Sequence, residues 1–293
     1  MYCTDRLLSA TTSGLPPHKP DSTHSASKEI LITMMFPIRD ENPQLQIPYV
    51  TYTLIALNVI AWLLLQGIGV EPALSASVCQ YGLIPADLTG ATANTTGTFC
   101  NVDGVPDWHT TVTSIFMHGS WMHLLGNMWF LWIFGNNVED AMGPIRFIVF
   151  YLLCGLAASA AQVLADLHSP IPMVGASGAI GGVMGAYIVL YPKVHVHMLL
   201  FLVVFVRTFA IPAIAMLGYW IIVQIFGAVS SMGTSGGGVA FWAHIGGFVA
   251  GMLLIFVFRD ERLLVKHPYR GWHQTQHPDD AWKPVKNNGG TWN

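Results

Sequence analysis

Charged side chains are scarce in this sequence. Asp, Glu, Lys and Arg make up 10% of its 293 residues, and 53% of the residues are hydrophobic. Soluble domains carry about 25% charged residues. The deficit excludes an ordinary water-soluble domain and indicates that much of the chain faces a medium other than water. The formal net charge of −3 gives no reason to expect nucleic acid as a partner.

Cysteine is also rare. The four cysteines are Cys3, Cys79, Cys100 and Cys154, and their spacing fits neither a zinc site nor a CxxC redox pair. Cys79 and Cys100 fall in one predicted outer loop and could form a disulfide there. Two unrelated thiols are the alternative, and the sequence does not decide between them.

Long apolar runs are abundant. A helix that crosses a bilayer needs about 20 mostly apolar residues, and lipid offers backbone groups no hydrogen-bond partners, so the spans must be helical. Six stretches qualify as spans: 49–69, 119–138, 145–167, 174–191, 211–230 and 239–258. A seventh run, Met198 to Val206, is too short to span and is expected to form a re-entrant or interfacial piece.

The basic residues give an orientation. All 13 lysines and arginines lie in the two tails and in the second and fourth loops, whereas the first, third and fifth loops contain none. By the positive-inside rule, both tails are cytoplasmic. We therefore predict three segments: a disordered N-terminal tail (1–44), a membrane domain (45–258) and a cytoplasmic C-terminal tail (259–293). The first 30 residues lack the apolar core of a cleavable signal peptide, and translation from Met34 or Met35 is a hypothesis.

Four polar side chains stand out inside the apolar spans. The second span carries His123 and Asn127, the fourth opens near Ser177, and the sixth contains His244. All three spans run from outside to inside, so at 1.5 Å per residue these side chains lie within roughly 10 Å of the outer boundary. Ionisable groups inside a membrane are functional candidates by default.

These residue types fit acyl transfer. A serine hydroxyl needs an adjacent base, which His244 can supply to Ser177. No carboxylate lies at this depth, so a dyad is favoured over a triad. The oxyanion could be bound by His123, by the Asn127 amide and by the backbone N–H of Ser177. Small residues beside the serine, Gly175 and Gly178 among them, leave room for a substrate backbone.

Each residue alone has a plainer explanation. Ser177 could be a small interface residue, His244 an interhelical hydrogen-bonding group, and His123 with Asn127 polar contacts between helices. A second Gly-x-Ser-Gly copy around Ser235 lies in a glycine-rich loop and is interpreted as a linker. A metal site built from His109, His118 and His123 is disfavoured because no cysteine or carboxylate completes the ligand set. The shared depth of the four polar residues favours catalysis.

The motifs resemble the rhomboid family over residues 34–258. The resemblance rests on Glu139-x-x-x-Gly143-x-x-Arg146, on a histidine matching His118, and on three motifs in alternate spans: His123-Leu-Leu-Gly-Asn127, Gly175-Ala-Ser177-Gly178 and Ala243-His244-Ile-Gly-Gly247. It implies an all-α bundle of six transmembrane helices with a Ser–His dyad and no metal or cofactor. Many members carry an aromatic residue four positions after the serine; here that residue is Gly181, so His244 must be held in another way.

The expected function is that of an intramembrane serine endopeptidase. Its partners would be the lipid bilayer and transmembrane protein substrates, cut near the outer face. The alternative is a catalytically silent relative that binds transmembrane helices, and a small transporter is a third interpretation. The expected location is a bacterial inner membrane, with an organellar membrane as the alternative. The physiological substrate and the oligomeric state stay open.

Overall fold

Six helices of 14 to 22 residues dominate the part of the chain that the structure describes. The computed structural model describes residues 34–90, 99–202, 205–232, 239–270 and 273–274. Each of the six predicted stretches overlaps one of these helices. These helices are α1 (Tyr49–Leu64), α5 (Trp121–Met142), α6 (Pro144–Ala165), α7 (Ser177–Leu190), α8 (Ala213–Ser231) and α9 (Phe241–Phe258).

Three of these helices, α6, α8 and α9, are long and apolar enough to cross a membrane by length and composition, among the described residues. Two more, α1 and α7, are apolar but shorter. The chain is therefore mostly helical, with apolar helices suited to a bilayer.

The long first loop is built from short elements rather than from extended coil. It contains α2 (Ala73–Tyr81), α3 (Pro85–Thr89) and α4 (Thr110–Thr113). A disulfide joins Cys79 to Cys100, which settles the pairing that the sequence left open. Thr113 Oγ1 donates to the carbonyl of Tyr81 at 2.9 Å and ties the two ends of the loop together.

A three-stranded antiparallel sheet corrects the all-α prediction. Its strands are β1 (Met34–Asp40), β2 (His195–Leu202) and β3 (Phe205–Pro212), in the order β1-β2-β3. The short apolar run that was expected to be re-entrant or interfacial contributes Met198–Leu202 to β2 and Phe205–Val206 to β3. Residues 34–40, assigned to a disordered tail, pair with β2 over a register that includes Phe36 and Leu199. Strand β3 is rich in the β-branched and aromatic residues that favour strands, and the hairpin that it forms with β2 leaves the other edge of β2 for β1 to pair with.

After α9, the described part of the chain contains a short helix and a small hairpin. They are α10 (Glu261–Leu264), β4 (Tyr269–Arg270) and β5 (His273–Gln274), where β4 pairs with β5. The predictions for residues 1–33, for the copy around Ser235 and for most of the C-terminal tail lie outside the described residues.

Two carboxylates at the end of α5 bind backbone N–H groups at, and just before, the beginning of α1. Glu139 accepts the backbone N–H groups of Val50 and Thr51 at 3.0 and 2.8 Å, and Asp140 accepts that of Leu45 at 2.6 Å. The first N–H groups of a helix have no partner within it, so Glu139 caps α1 from another helix. This capping gives the buried carboxylate of Glu139 its hydrogen-bond partners.

Buried hydrogen bonding also attaches β1 to the bundle. The hydroxyl of Tyr187 on α7 donates to Asp40 at 2.5 Å. Burial raises the pKa of Asp40 to about 7. The strand is thereby fixed to the helix that carries Ser177 at its opposite end.

Helices α7 and α9 pack closely enough for backbone contact. A Cβ added at Gly247 would collide with the carbonyl oxygen of Gly178, and one added at Gly251 would collide with that of Gly182. Small residues four apart allow such an approach in membrane helices. This packing brings the beginning of α7 and the first turns of α9 side by side.

Candidate active site

The serine at the beginning of α7 is partly exposed and stands at the first position of the helix. Gly175, with φ +123°, turns the chain just before it. Because the first N–H groups of a helix lack intrahelical partners, the amide of Ser177 is available as a donor. The positive end of the helix dipole lies at the same point and favours negative charge there.

The hydroxyl of Ser177 and the ring of His244 are in hydrogen-bond contact. The Oγ atom lies 2.8 Å from Nε2 of His244. This distance is suitable for proton transfer between a nucleophile and a base. The structure thus brings together two residues that are 67 positions apart in the chain.

The other side of the His244 ring contacts α8. Its Nδ1 atom lies 2.7 Å from Oε1 of Gln224, which is buried. The ring of Trp220 lies beside it, with centroids 5.7 Å apart. Neither residue was identified from the sequence. The sequence does carry a signal for Gln224, which is a polar side chain in an otherwise apolar span. The depth argument, however, applies to the three spans that run from outside to inside, and Gln224 lies in a span of the opposite direction.

The first turns of α5 supply the predicted oxyanion donors. Ser120 caps α5 by accepting the N–H of His123 at 3.1 Å. Nδ1 of His123 accepts from the amide of Gly119 at 3.4 Å, which leaves Nε2 to carry the ring proton. The side-chain nitrogen of Asn127 is buried and has no hydrogen-bond partner among the described residues. Both groups are therefore available to an external acceptor.

Gly175 links these donors to the serine. A Cβ added at this position would lie 2.7 Å from Nε2 of His123 and 3.5 Å from Nδ2 of Asn127. The left-handed backbone and the lack of space both require glycine. Gly175 therefore places the chain before Ser177 directly against the two side chains of α5.

Gly178 and His118 lie behind the site rather than in it. A Cβ added at Gly178 would lie 2.5 Å from that of Ala158 on α6, so this glycine serves helix packing. His118 is fully buried, and its ring packs edge-on against that of His123 with centroids 5.1 Å apart. Its backbone N–H and C=O are both bound by the side chain of Gln66, at 2.8 and 2.7 Å.

An open cavity of about 1040 Å³ exposes the site. His123, Asn127, Ser177 and His244 all line it, together with Trp220. A second, much smaller cavity lies behind the serine and is lined by small residues that include Gly155, Ala158 and Gly178. The arrangement offers a hydroxyl, a base, two side-chain donors and space for an extended chain.

His123, Asn127, Ser177 and His244 thus meet at one cavity, and within the described ranges of the chain no carboxylate is hydrogen-bonded to them. Among the described residues, no group of three or more His, Cys, Asp or Glu side chains is arranged to hold a metal ion. The chemistry available is that of a hydroxyl beside an imidazole.

Comparison with known proteins gives consistent matches. A family model described as "Rhomboid domain" matches residues 105–261. The chain is 35% identical to "Rhomboid protease GluP" of Bacillus subtilis (strain 168) over 147 residues, 50% of this chain and 25% of that protein. It is 32% identical to "Rhomboid protein 1, mitochondrial" of Saccharomyces cerevisiae over 148 residues, 48% of this chain and 39% of that protein.

A plant protein gives a similar match. "Rhomboid-like protein 11, chloroplastic" of Arabidopsis thaliana is 29% identical over 161 residues, 52% of this chain and 53% of that protein. The matched regions therefore span about half or less of the length of these relatives.

Proposed function

The chain belongs to the rhomboid family, and we propose that it is an intramembrane serine endopeptidase in which Ser177 is the nucleophile and His244 the general base. The observation that carries the proposal is the 2.8 Å contact between Ser177 Oγ and His244 Nε2 at the wall of an open cavity. A hydroxyl beside an imidazole is the arrangement that nucleophilic acyl transfer requires. The relative named as a protease supports the same activity.

The first chemical step forms an acyl-enzyme. His244 takes the proton of Ser177 as the oxygen attacks the peptide carbonyl, and returns it to the leaving amine. The negative charge on the carbonyl oxygen is stabilised by Nε2–H of His123, the amide of Asn127 and the N–H of Ser177. The unpartnered nitrogen of Asn127 supports this role, since a buried donor without an acceptor is otherwise unfavourable.

Hydrolysis of the ester completes the cycle. Water enters through the open cavity, His244 removes its proton, and the hydroxide attacks the acyl carbon. The proton then returns to Ser177 as the ester bond breaks. No metal or cofactor enters either step of this scheme.

The proposed setting is a bundle of six transmembrane helices with both termini in the cytoplasm. Helix α7 has 14 residues, and at 1.5 Å per residue it covers only about 21 Å of a bilayer core about 30 Å thick. Ser177 at its beginning would therefore lie below the outer surface, within reach of water from outside. The absence of lysine and arginine from the first, third and fifth loops supports this orientation.

The proposed substrates are transmembrane segments of other membrane proteins. A peptide carbonyl is reached only where the substrate helix unwinds, so helix-breaking residues near the cut should help. The small cavity behind Ser177 favours a small side chain next to the cleaved bond. We place the protein in a bacterial inner membrane; relatives named as chloroplastic and mitochondrial make an organellar membrane the alternative.

Cleavage of a reporter tests the proposal. The full chain is reconstituted in liposomes with a single-pass reporter protein whose transmembrane segment carries small and helix-breaking residues. We expect wild type to cut the reporter and Ser177→Ala to lose at least about 10³-fold of that activity, while its thermal midpoint is unchanged. Equal cleavage by both proteins would reject the assignment, and a silent helix-binding protein would bind the reporter without cutting it.

A further inference from the structure

The orientation of His244 depends on something other than α7. A Cβ added at Gly181 would lie 3.1 Å from the backbone oxygen of His244 and 3.5 Å from the backbone nitrogen of Phe248. At the level of Gly181, α7 therefore runs against the backbone of α9, and Gly181 itself has no side chain to place against the ring. A ring with one hydrogen bond, to Ser177, would still be free to rotate or to exchange its tautomer.

The contacts to the ring come instead from α8. Gln224 and Trp220 are four residues apart and share one face of that helix. Oε1 of Gln224 lies 2.7 Å from Nδ1 of His244, and the Trp220 ring lies beside the imidazole at a tilt of 38°. Gln224 is 8% exposed, whereas its neighbours Val223 and Ile225 are exposed on the outer side of the helix.

We propose that Gln224 is a positioning residue for His244: its side-chain oxygen fixes the tautomer in which Nε2 is free to accept the proton of Ser177. This role rests on the proposed function and assigns to a glutamine the position that a carboxylate occupies in a catalytic triad.

The tautomer argument follows from the two hydrogen bonds. A neutral imidazole carries one N–H and one acceptor nitrogen. Because Oε1 is an acceptor, it binds the ring only when Nδ1 carries the hydrogen, and Nε2 then presents its lone pair to Ser177. The opposite tautomer would place the Nδ1 lone pair against Oε1 and direct Nε2–H at the hydroxyl. With the amide turned so that Oε1 faces the ring, as in this structure, Gln224 favours the tautomer that can act as a base.

The same contact also serves the charged intermediate. After His244 has taken the proton, both ring nitrogens are donors, and Oε1 of Gln224 still accepts from Nδ1–H. A hydrogen bond to a charged group is stronger than one between neutral groups. Gln224 should therefore lower the barrier of the chemical step and have little effect on substrate binding.

Substitution of Gln224 by residues of similar length tests the proposal. Gln224→Met keeps the length of the side chain and removes the oxygen acceptor, whereas Gln224→Glu keeps an oxygen at the same reach. Ile225→Met, on the exposed face of α8, is the matched control. Each full-length variant is assayed for kcat and KM on the reporter, for the rate of labelling of Ser177 by a fluorophosphonate, and for its thermal midpoint.

We expect kcat of Gln224→Met to fall about 10- to 100-fold, the effect of one hydrogen bond to a charged group, with KM within about twofold of wild type. Labelling should slow in parallel. Gln224→Glu should recover most of the lost kcat, and Ile225→Met should match wild type.

Three results would overturn the positioning role: wild-type kcat in Gln224→Met, a change in KM alone, or equal loss in Gln224→Met and Gln224→Glu. A lower midpoint in Gln224→Met without rescue by Gln224→Glu would likewise assign the residue to packing. Failure of the proposed function is distinguishable from these outcomes, since it would show as cleavage by Ser177→Ala equal to that of wild type.

Discussion

Among the side chains that line the cavity, Asn127 has an environment that packing alone does not explain. It is 8% exposed, and its Nδ2 atom has no partner among the described residues. A buried donor without an acceptor is destabilising by about 1–3 kcal/mol. Retaining such a group next to Ser177 is understandable if its acceptor arrives with the substrate and becomes charged in the transition state.

Removal of this donor should therefore affect catalysis and not folding. We expect Asn127→Ala to lower kcat about 10²- to 10³-fold, the usual effect of losing one oxyanion donor, with little change in KM or in the thermal midpoint. Steady-state cleavage of the reporter and thermal unfolding in detergent measure both quantities.

The control for this variant is Asn136→Ala, on the same helix about two and a half turns away, where Asn136 accepts the N–H of Asn137. It should keep wild-type kcat. If Asn127→Ala loses stability and keeps its kcat, Asn127 is an interhelical contact and the oxyanion role is wrong.

Much of the site was accessible from the sequence because its members share a depth. His123, Asn127, Ser177 and His244 were brought together by counting residues from the outer ends of three spans, and all four line one cavity. Gln224 was not predicted, because its helix runs in the opposite direction and its depth follows only from counting back from the end of the span. Which nitrogen of the His123 and His244 rings carries the hydrogen depends on contacts between helices, and no local sequence pattern encodes such contacts.

Among the helices, the pair α7 and α9 determines the geometry of the site. Gly182 faces Cys154 and Gly247, and Gly251 faces the carbonyl of Gly182. A side chain at Gly251 would force α9 away from α7, and one at Gly182 would also collide with Cys154 on α6. Since Ser177 and His244 lie on these two helices, their separation depends on the glycine contact one to two turns further along.

An added methyl group in this contact should be harmful. We expect Gly251→Ala to lower stability by about 1–3 kcal/mol, as overpacking typically does, and to reduce cleavage because α9 moves away from α7. Thermal unfolding and the reporter assay are the measurements.

Gly218→Ala on α8 is the matched control, since a Cβ added there meets no atom within 4 Å. It should leave both stability and cleavage near wild type. A Gly251→Ala protein as stable and as active as Gly218→Ala would show that the close contact between α7 and α9 is not required.

The helices were predictable and the sheet was not, for a physical reason. A long apolar run has one stable form in lipid, because its backbone groups must bond within the segment. A short apolar run such as Met198–Val206 carries no such constraint and can pair with any free strand. Its partner β1 lies about 160 residues earlier, with Phe36 opposite Leu199, and non-local pairing is not encoded in a local pattern.

For the protein as a whole, the distribution of polarity supports the proposed reaction. The chain carries apolar helices suited to a bilayer, yet one open cavity of about 1040 Å³ places polar groups and solvent access at the serine. Hydrolysis inside a membrane requires this combination, since lipid excludes the water that the second step consumes. Helix α7 has only 14 residues. It would therefore begin below the outer surface of the bilayer, and the cavity above its first residue would reach down to that depth.

The central claim is that Ser177 is a nucleophile activated by His244, and covalent labelling tests it most directly. The full-length protein is treated with a fluorophosphonate and the adduct is located by mass spectrometry of its peptides. We predict a single modified residue, Ser177, in wild type, and labelling at least about 10³-fold slower in His244→Ala because the base is missing. Labelling of Ser177 at equal rates in both proteins, or no labelling of wild type, would contradict the account.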